Sequence, residues 1–380
     1  MSQDAPGTTT GTKKKRITPG QIVAFVFGMV IVVLIFVVAI PKFADYGDVW
    51  NAMKTLTPIE FWSLMAAMIF NLYTYWLANE AALMGMSLGQ SAIVTQTSTT
   101  VANTLPAGGA LAIGVSAAML SSWGFTPAEI TLYVGVTGIW NIFAKLGMPL
   151  IALVLLVITG NTNPGLVTAA LIGALVLVGA VVLLVLVFRS EPMARKVGDL
   201  LGRVGSALLR VIRKPALEDM GDKTAKFRRE TIILVSRRWF RLTWTTLLSQ
   251  IALFAVLVMS LRHMGVSEQE VSTVEIFAVY TFSRLLSAIP ITPGGAGVID
   301  LGYIGGITAI DNGEHPEIVA GVLIFRVLTY GLQIPLGAVT YFIWRGKTSW
   351  KRDTPPPGSI AAELEAAQTA PQAGAQPVAG

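Results

Sequence analysis

The sequence predicts an all-α polytopic membrane protein: about six spanning helices plus two re-entrant broken-helix hairpins in an inverted repeat, with eight short spans as the alternative count. Three observations carry this expectation. The 380 residues are 53% hydrophobic and only 13% charged, with a mean hydropathy of +0.64, whereas soluble domains carry about 25% charged residues. No series of alternating ten-residue segments points to a β-barrel. The apolar stretches are also broken twice, at matched places, by a proline followed by a glycine pair.

The elements follow in chain order. Residues 1–12 are small and polar, and Lys13, Lys14, Lys15 and Arg16 follow, so 1–20 reads as a disordered basic tail. Ile22–Ile40 is nineteen residues without a charge. It is too long for a signal peptide and no small-residue cleavage site follows, so it reads as a retained first span with the basic cluster inside. Ile59–Ala81 is the second span. Between Glu80 and Glu129 no residue is charged, yet Gly85, Gly89, Pro106, Gly108, Gly109, Gly114 and Gly124 interrupt the stretch. Breaking Ser91–Ser122 at Pro106 leaves arms of about fifteen residues, short of a ~30 Å hydrocarbon core. A hairpin is therefore favoured over two full spans. Glu129–Gly160 is one long helix with a candidate bend near Gly147–Pro149, and Leu166–Phe188 completes an N-terminal membrane half over 21–188.

Polarity then changes. Arg189–Arg241 holds fourteen Lys/Arg against six Asp/Glu, so 189–239 is expected to be a basic cytoplasmic loop. Within it Val197, Leu200, Leu201, Val204, Leu208, Val211 and Ile212 recur at helical spacing, interleaved with Arg203, Arg210 and Lys214. That pattern predicts an interfacial amphipathic helix. Phe240–Leu261 spans again, Phe277–Ile310 repeats the broken pattern, and Ile318–Trp344 is the last span of a C-terminal membrane half over 240–345. Residues 346–380, rich in Pro, Ala and Gln beyond 353, are expected to form a disordered tail. Both termini are placed in the cytoplasm, the protein being multi-pass in the cell membrane.

The stretches "NTLPAGGALAIG" (103–114) and "PITPGGAGVIDLG" (290–302) align on Pro-x-Gly-Gly and Pro-Gly-Gly. A spanning helix precedes and follows each. With both termini and the 189–241 loop inside, the first hairpin enters from the cytoplasm and the second from outside. Broken backbone survives in a membrane only where protein or a water-filled cavity covers it. Paired discontinuous helices in inverted repeats mark transporters with a site near the midplane. The second arms start near Ala110 and Val298, where free N–H groups and the helix dipole suit an anion such as a lipid phosphate. The first motif offers Pro106, Gly108 and Gly109; the second offers Pro293, Gly294, Gly295, Gly297 and Asp300. Arg284 and Arg326 are expected in the outer half, where a guanidinium can grip a phosphate. Asp300 could neutralise one of them as a structural ion pair, either in place of that role or while the other arginine faces the ligand. Lys145 is a candidate cavity residue, Glu80 an interface residue. Tyr280, Tyr303 and Tyr330 fit either headgroup contact or aromatic packing.

"IPITPGGAGVIDLG" followed by "GVLIFRVLTYGLQIPLGAVTYFIW" (321–344) resembles the transmembrane region of lysylphosphatidylglycerol synthases and their stand-alone relatives. The family pattern is Pro-Gly-Gly-x-Gly-x-x-acid with an arginine in the next span, matched here by Pro293, Gly294, Gly295, Gly297, Asp300 and Arg326. The resemblance covers roughly 20–345 and implies a flippase-like domain. Asp300 stands where the family usually has Glu. Ala112, Val115 and Ser116 stand where many relatives carry an arginine. No room remains for the synthases' aminoacyl-transferase domain, so that activity is not expected.

No Gly-x-Ser-x-Gly elbow, His-Glu-x-x-His pair, Walker loop or dinucleotide fingerprint occurs, so neither enzyme activity nor a cofactor is expected. Zero cysteines and two distant histidines, His263 and His315, offer no metal site. The net charge of +6 is modest and local, which argues for anionic lipid and against nucleic acid. Asp45 with Asp48, and Glu268 with Glu270, read as solvated faces. The expected function is translocation of an anionic phospholipid or lipid-linked precursor. The alternative is a non-catalytic assembly or regulatory subunit of a cell-envelope lipid or glycan enzyme, binding its protein partner through 189–241.

Overall fold

A computed structural model of the protein describes residues 46–105, 108–160, 189–211, 219–286, 295–311 and 316–369, with Thr292 and isolated positions between 26 and 187. The expected first span, most of 166–188 and the tails 1–20 and 370–380 lie outside the described residues. Every regular element among the described residues is helical: α1 Tyr46–Lys54, α2 Pro58–Ala81, α3 Leu88–Thr104, α4 Gly108–Ser122, α5 Pro127–Ile158, α6 Glu191–Val211, α7 Met220–His263, α8 Thr273–Leu286, α9 Val298–Asp311, α10 Pro316–Arg326, α11 Gln333–Gly346 and α12 Ile360–Thr369. A π-turn, Val327–Gly331, joins α10 to α11.

Local sequence starts the principal helices. Thr57 with Glu60, Ser87 with Gln90 and Thr126 with Glu129 form capping boxes, each side chain serving the other's backbone N–H. Proline at the first turn of α2 and α5 fixes φ where no N–H is needed. α5, residues 237–263 of α7, and Pro316–Gly346 are long and apolar enough to cross a membrane. α2 has the length, with 24 residues, but a more polar composition.

α2 and α7 run antiparallel and set the depth scale. Ser63 Oγ bonds His263 Nε2 at 2.8 Å, Asn71 Nδ2 donates to the Ser249 carbonyl at 3.3 Å, and the Glu80 carboxylate pairs with Arg241. Glu60 and Glu80, at the two ends, are twenty residues apart, or about 30 Å along the axis, the thickness of the hydrocarbon core. Exposed aromatics rim both ends: Phe61 and Trp62 at one, Trp239, Phe240 and Trp244 at the other, as an aromatic belt requires.

The broken segments form helical pairs. α3 packs on α4, and α8 on α9. Their arms have 17, 15, 14 and 14 residues, about 21–26 Å each and so shorter than the core. The pairs are exchanged between the two halves. α3 packs against α11, the closing helix of the second half, and α8 packs against α5, the closing helix of the first. With α2 antiparallel to α7, α3 on α11 and α5 on α8, the two halves pack on each other along several helices. The α3–α11 contact is close because it is made by small and hydroxyl residues. Thr97 and Thr340 share a hydrogen bond of 2.9 Å, and Thr100 Oγ1 donates to the Gln333 carbonyl at 2.8 Å.

Three segments differ from expectation. The basic region is helical through most of its described length: α7 is one 44-residue helix, and α6 crosses its first turns where Gly198 and Gly221 remove the side chains. Val197 is buried there, while Leu200 and Leu201 stay exposed, so the apolar pattern divides between helix packing and an uncovered face. The last span is interrupted by the π-turn directly after Arg326. The segment after Gly346, read from composition as disordered, is ordered through Thr369 and carries α12. Its order comes from docking on turns of the first half, which composition does not report.

A Cβ at Gly337 would sit 1.9 Å from Thr100 Oγ1 and 2.5 Å from the Gln96 carbonyl, whereas one at Gly114 meets nothing within 4 Å. Gly337→Ala is therefore expected to lower stability by about 1–3 kcal/mol, the usual overpacking range, and Gly114→Ala to leave it unchanged or higher. Unfolding in detergent compares the two.

Candidate functional site

The second break is closed by one carboxylate. Gly295 and Gly297 have φ of +72° and +80°, which L side chains resist, and a Cβ at Gly295 would also press on Ile299. α9 begins one residue after Gly297. In its first turn Asp300 Oδ2 accepts the Gly297 N–H at 2.8 Å, and Oδ1 accepts from Arg326 Nε. Arg326 Nη2 donates on to the Gly295 carbonyl at 3.3 Å. Asp300 thus satisfies an otherwise orphaned donor at a helix N-terminus and sits where the dipole favours negative charge. Its side chain is 1% exposed and that of Arg326 16%. Asp300 is thus paired with Arg326.

The same arginine reaches toward the first break. Its guanidinium lies 5.2 Å from the Tyr330 ring centroid, and Tyr330 Oη donates to the Asn103 carbonyl at 2.9 Å. Asn103 is in the last turn of α3, where carbonyls have no partner within the helix. The π-turn, a feature frequent at functional sites, places Tyr330 there. Gly108 opens α4 against α3: a Cβ would stand 2.2 Å from the Ala102 carbonyl. Gly109 is exposed with open space around its Cβ position. Pro106, Pro293 and Gly294 lie outside the described residues.

Arg284 belongs to a second polar group that adjoins the first at Tyr303. Its Nη2 donates to Gln250 Oε1 at 3.2 Å, and its guanidinium lies 5.9 Å from the Tyr280 ring centroid. Tyr280 stacks on Tyr303 with 6.1 Å between centroids. Tyr75 of α2 and Lys145 of α5 are also within electrostatic range of Arg284. Gln250 is nine residues from Arg241 and thirteen from His263, about 14 and 20 Å along α7. Arg284 therefore sits near mid-depth, not in the outer half expected from its distance to Pro293. Glu80, near the end of α2, pairs with Arg238 and Arg241.

Gln250, Tyr75 and Asn103 were not singled out by sequence. The available signals were a glutamine in the middle of an apolar span and the Ser/Thr/Gln-rich run over 90–104.

A family model described as "Lysylphosphatidylglycerol synthase TM region" matches residues 22–337. The chain belongs to the lysylphosphatidylglycerol synthase transmembrane-region family. The match takes in both hairpins, the Asp300–Arg326 pair and the π-turn, and it makes the chain a membrane protein of a flippase-like family. No curated protein and no solved structure matches it.

Breaking a buried pair by removing one partner costs about 3–5 kcal/mol. Asp300→Asn in this family member is expected to lose that much and Asp300→Asn/Arg326→Gln distinctly less, because the double variant leaves no buried lone charge. Thermal unfolding of the purified variants gives the comparison.

Proposed function

We propose that the chain is a lipid translocase carrying an anionic headgroup through a cation-lined centre between its two halves. The observation that carries this reading is that Lys145, on α5 of the first half, lies within electrostatic range of Arg284, on α8 of the second, the two helices being packed together. Like charges repel in a low-dielectric interior, and intramembrane cations mark substrate paths. A phosphate between them relieves the repulsion and is bound by a guanidinium fork and a point charge at once. The exchanged hairpins and the two breaks support a site at the interface of inverted repeats.

In this reading the roles of the motif residues divide. Asp300 and Arg326 hold the second break in shape, with the outward donors of Arg326 at the edge of the headgroup path. Gly295 and Gly297, with Pro293 and Gly294, let the lipid approach the backbone closely. Gly109, with Pro106, does the same at the first break, where Gly108 instead lets α4 pack on α3. The termini and residues 189–241 face the cytoplasm, so α3–α4 enters from that side and α8–α9 from the other. No step of bond chemistry is required.

A second reading, partner capture, draws on the exposed Leu200 and Leu201 beside Lys196 and Arg203 on α6. Leu200→Glu/Leu201→Glu separates the two: translocation survives this change, whereas partner capture does not.

The test of translocation uses the protein in vesicles with labelled phosphatidylglycerol or phosphatidylcholine. Lys145→Ala/Arg284→Ala is expected to slow transfer of the anionic lipid about tenfold or more, the loss for one charge-assisted contact worth about 1.4 kcal/mol. Undiminished transfer by a variant that still unfolds at the wild-type temperature removes the headgroup site.

A further inference from the structure

We infer that residues 347–369 are a clasp that holds the first hairpin shut at the rim marked by Arg237 and Arg241, and that its release frees the hairpin to move. The segment lies beyond the residues matched to the family, and the proposed translocation does not use it.

The clasp touches both ends of the hairpin. Trp350 packs edge-on against Trp123 with 5.8 Å between centroids, and a Cβ at Gly89 would lie 3.1 Å from its ring. Gly89 is in the first turn of α3, and Trp123 follows the last residue of α4. The Arg352 N–H donates to the Ser122 carbonyl at 3.1 Å, covering an orphan carbonyl at the end of α4. Further along, the turns on either side of the hairpin admit the clasp because they are glycine. A Cβ at Gly124 would stand 2.2 Å from the Thr354 carbonyl, and one at Gly85 2.8 Å from the Ser359 nitrogen. Both glycines also have positive φ, so the same residue shapes the turn and opens the space.

The far part of the clasp is held differently. Ser359 is fully buried and Ile360 packs on the apolar core of the first half, while the rest of α12 is held by two polar contacts. The Ala361 N–H donates to Glu129 Oε1 at 2.9 Å, and Glu363 pairs with Arg237 of α7. The pair is about half exposed on both sides, where ion pairs are weak and screened by salt. Glu129 is itself buried and uses Oε2 for its own capping box. When the clasp lifts, water replaces Ala361 at Oε1, so the buried carboxylate is not stranded. The design is a firm proximal anchor, Trp350 on Trp123, and a distal half that salt or a competing anion on Arg237 can loosen.

The absence of cysteine gives a clean test that needs no transport. A reporter, Gly109→Cys, is placed at the first break, and its labelling by a membrane-impermeant maleimide is read by peptide mass spectrometry. A control reporter, Ala296→Cys, is placed at the second. Glu363→Arg with Trp350→Ala, both changes on the clasp itself, unfastens it, while Ser122→Cys/Arg352→Cys locks it by a disulfide. Unfastening is expected to speed labelling at position 109 about tenfold, as when a conformer of a few per cent becomes a large fraction, with position 296 unchanged. Oxidising the locked variant is expected to slow it, and reduction to restore it. Equal labelling at 109 in the unfastened and locked forms overturns the clasp, and so does a parallel rise at 296, which would report general loosening. Either result leaves the headgroup site untouched, because lipid transfer by the Lys145 and Arg284 variants is measured separately.

Discussion

A chain that breaks its helices must find partners for the N–H and carbonyl groups the break frees, and at the start of α9 a single carboxylate organises that requirement. Asp300 takes the Gly297 N–H with one oxygen and the Arg326 guanidinium with the other. Arg326 then takes the Gly295 carbonyl and leans on Tyr330, whose hydroxyl serves Asn103. The second break, the π-turn of the last span and the end of α3 are thus links of one chain of contacts. Each unsatisfied group in lipid costs several kcal/mol, so the links are interdependent. The location of the glycines follows, since Gly295 and Gly297 supply the positive φ that brings the N–H to the carboxylate.

The two halves are related but not equal. Equivalent helices meet, with α2 against α7 and each hairpin against the other half's closing helix. The second hairpin is tied by charge; the first, whose stretch between Glu80 and Glu129 has no charge at all, is tied by hydroxyls, Tyr330 and the clasp. The difference matters for mechanism. A buried ion pair is costly to open, whereas hydroxyl contacts and a half-exposed ion pair are cheap. In the proposed cycle the first hairpin is therefore the more mobile gate, and the Asp300–Arg326 side is the fixed wall.

Much of this was legible from residue order. The helical class, the two breaks, the pairing of Asp300 with an arginine and the matched halves follow from hydropathy, Pro-Gly-Gly spacing and charge position. Three things were not. Depth cannot be read from distance along the chain; for Arg284 the bond to Gln250 on a neighbouring helix gives it. The π-turn is one extra residue in a turn, with no compositional mark. The order of 347–369 depends on glycines at 85, 89 and 124, more than two hundred residues away, which make space for a segment whose own composition reads as loose.

The central claim is that the two broken helical pairs enter the membrane from opposite sides. Two-sided labelling of single cysteines at Ala110 and Leu301, each in the first turns after a break, tests it most directly in sealed, oriented vesicles. Ala110→Cys should react with an impermeant reagent from the cytoplasmic side and Leu301→Cys from the opposite side. Reaction of both from the same side would contradict the inverted arrangement, and with it the site between the halves.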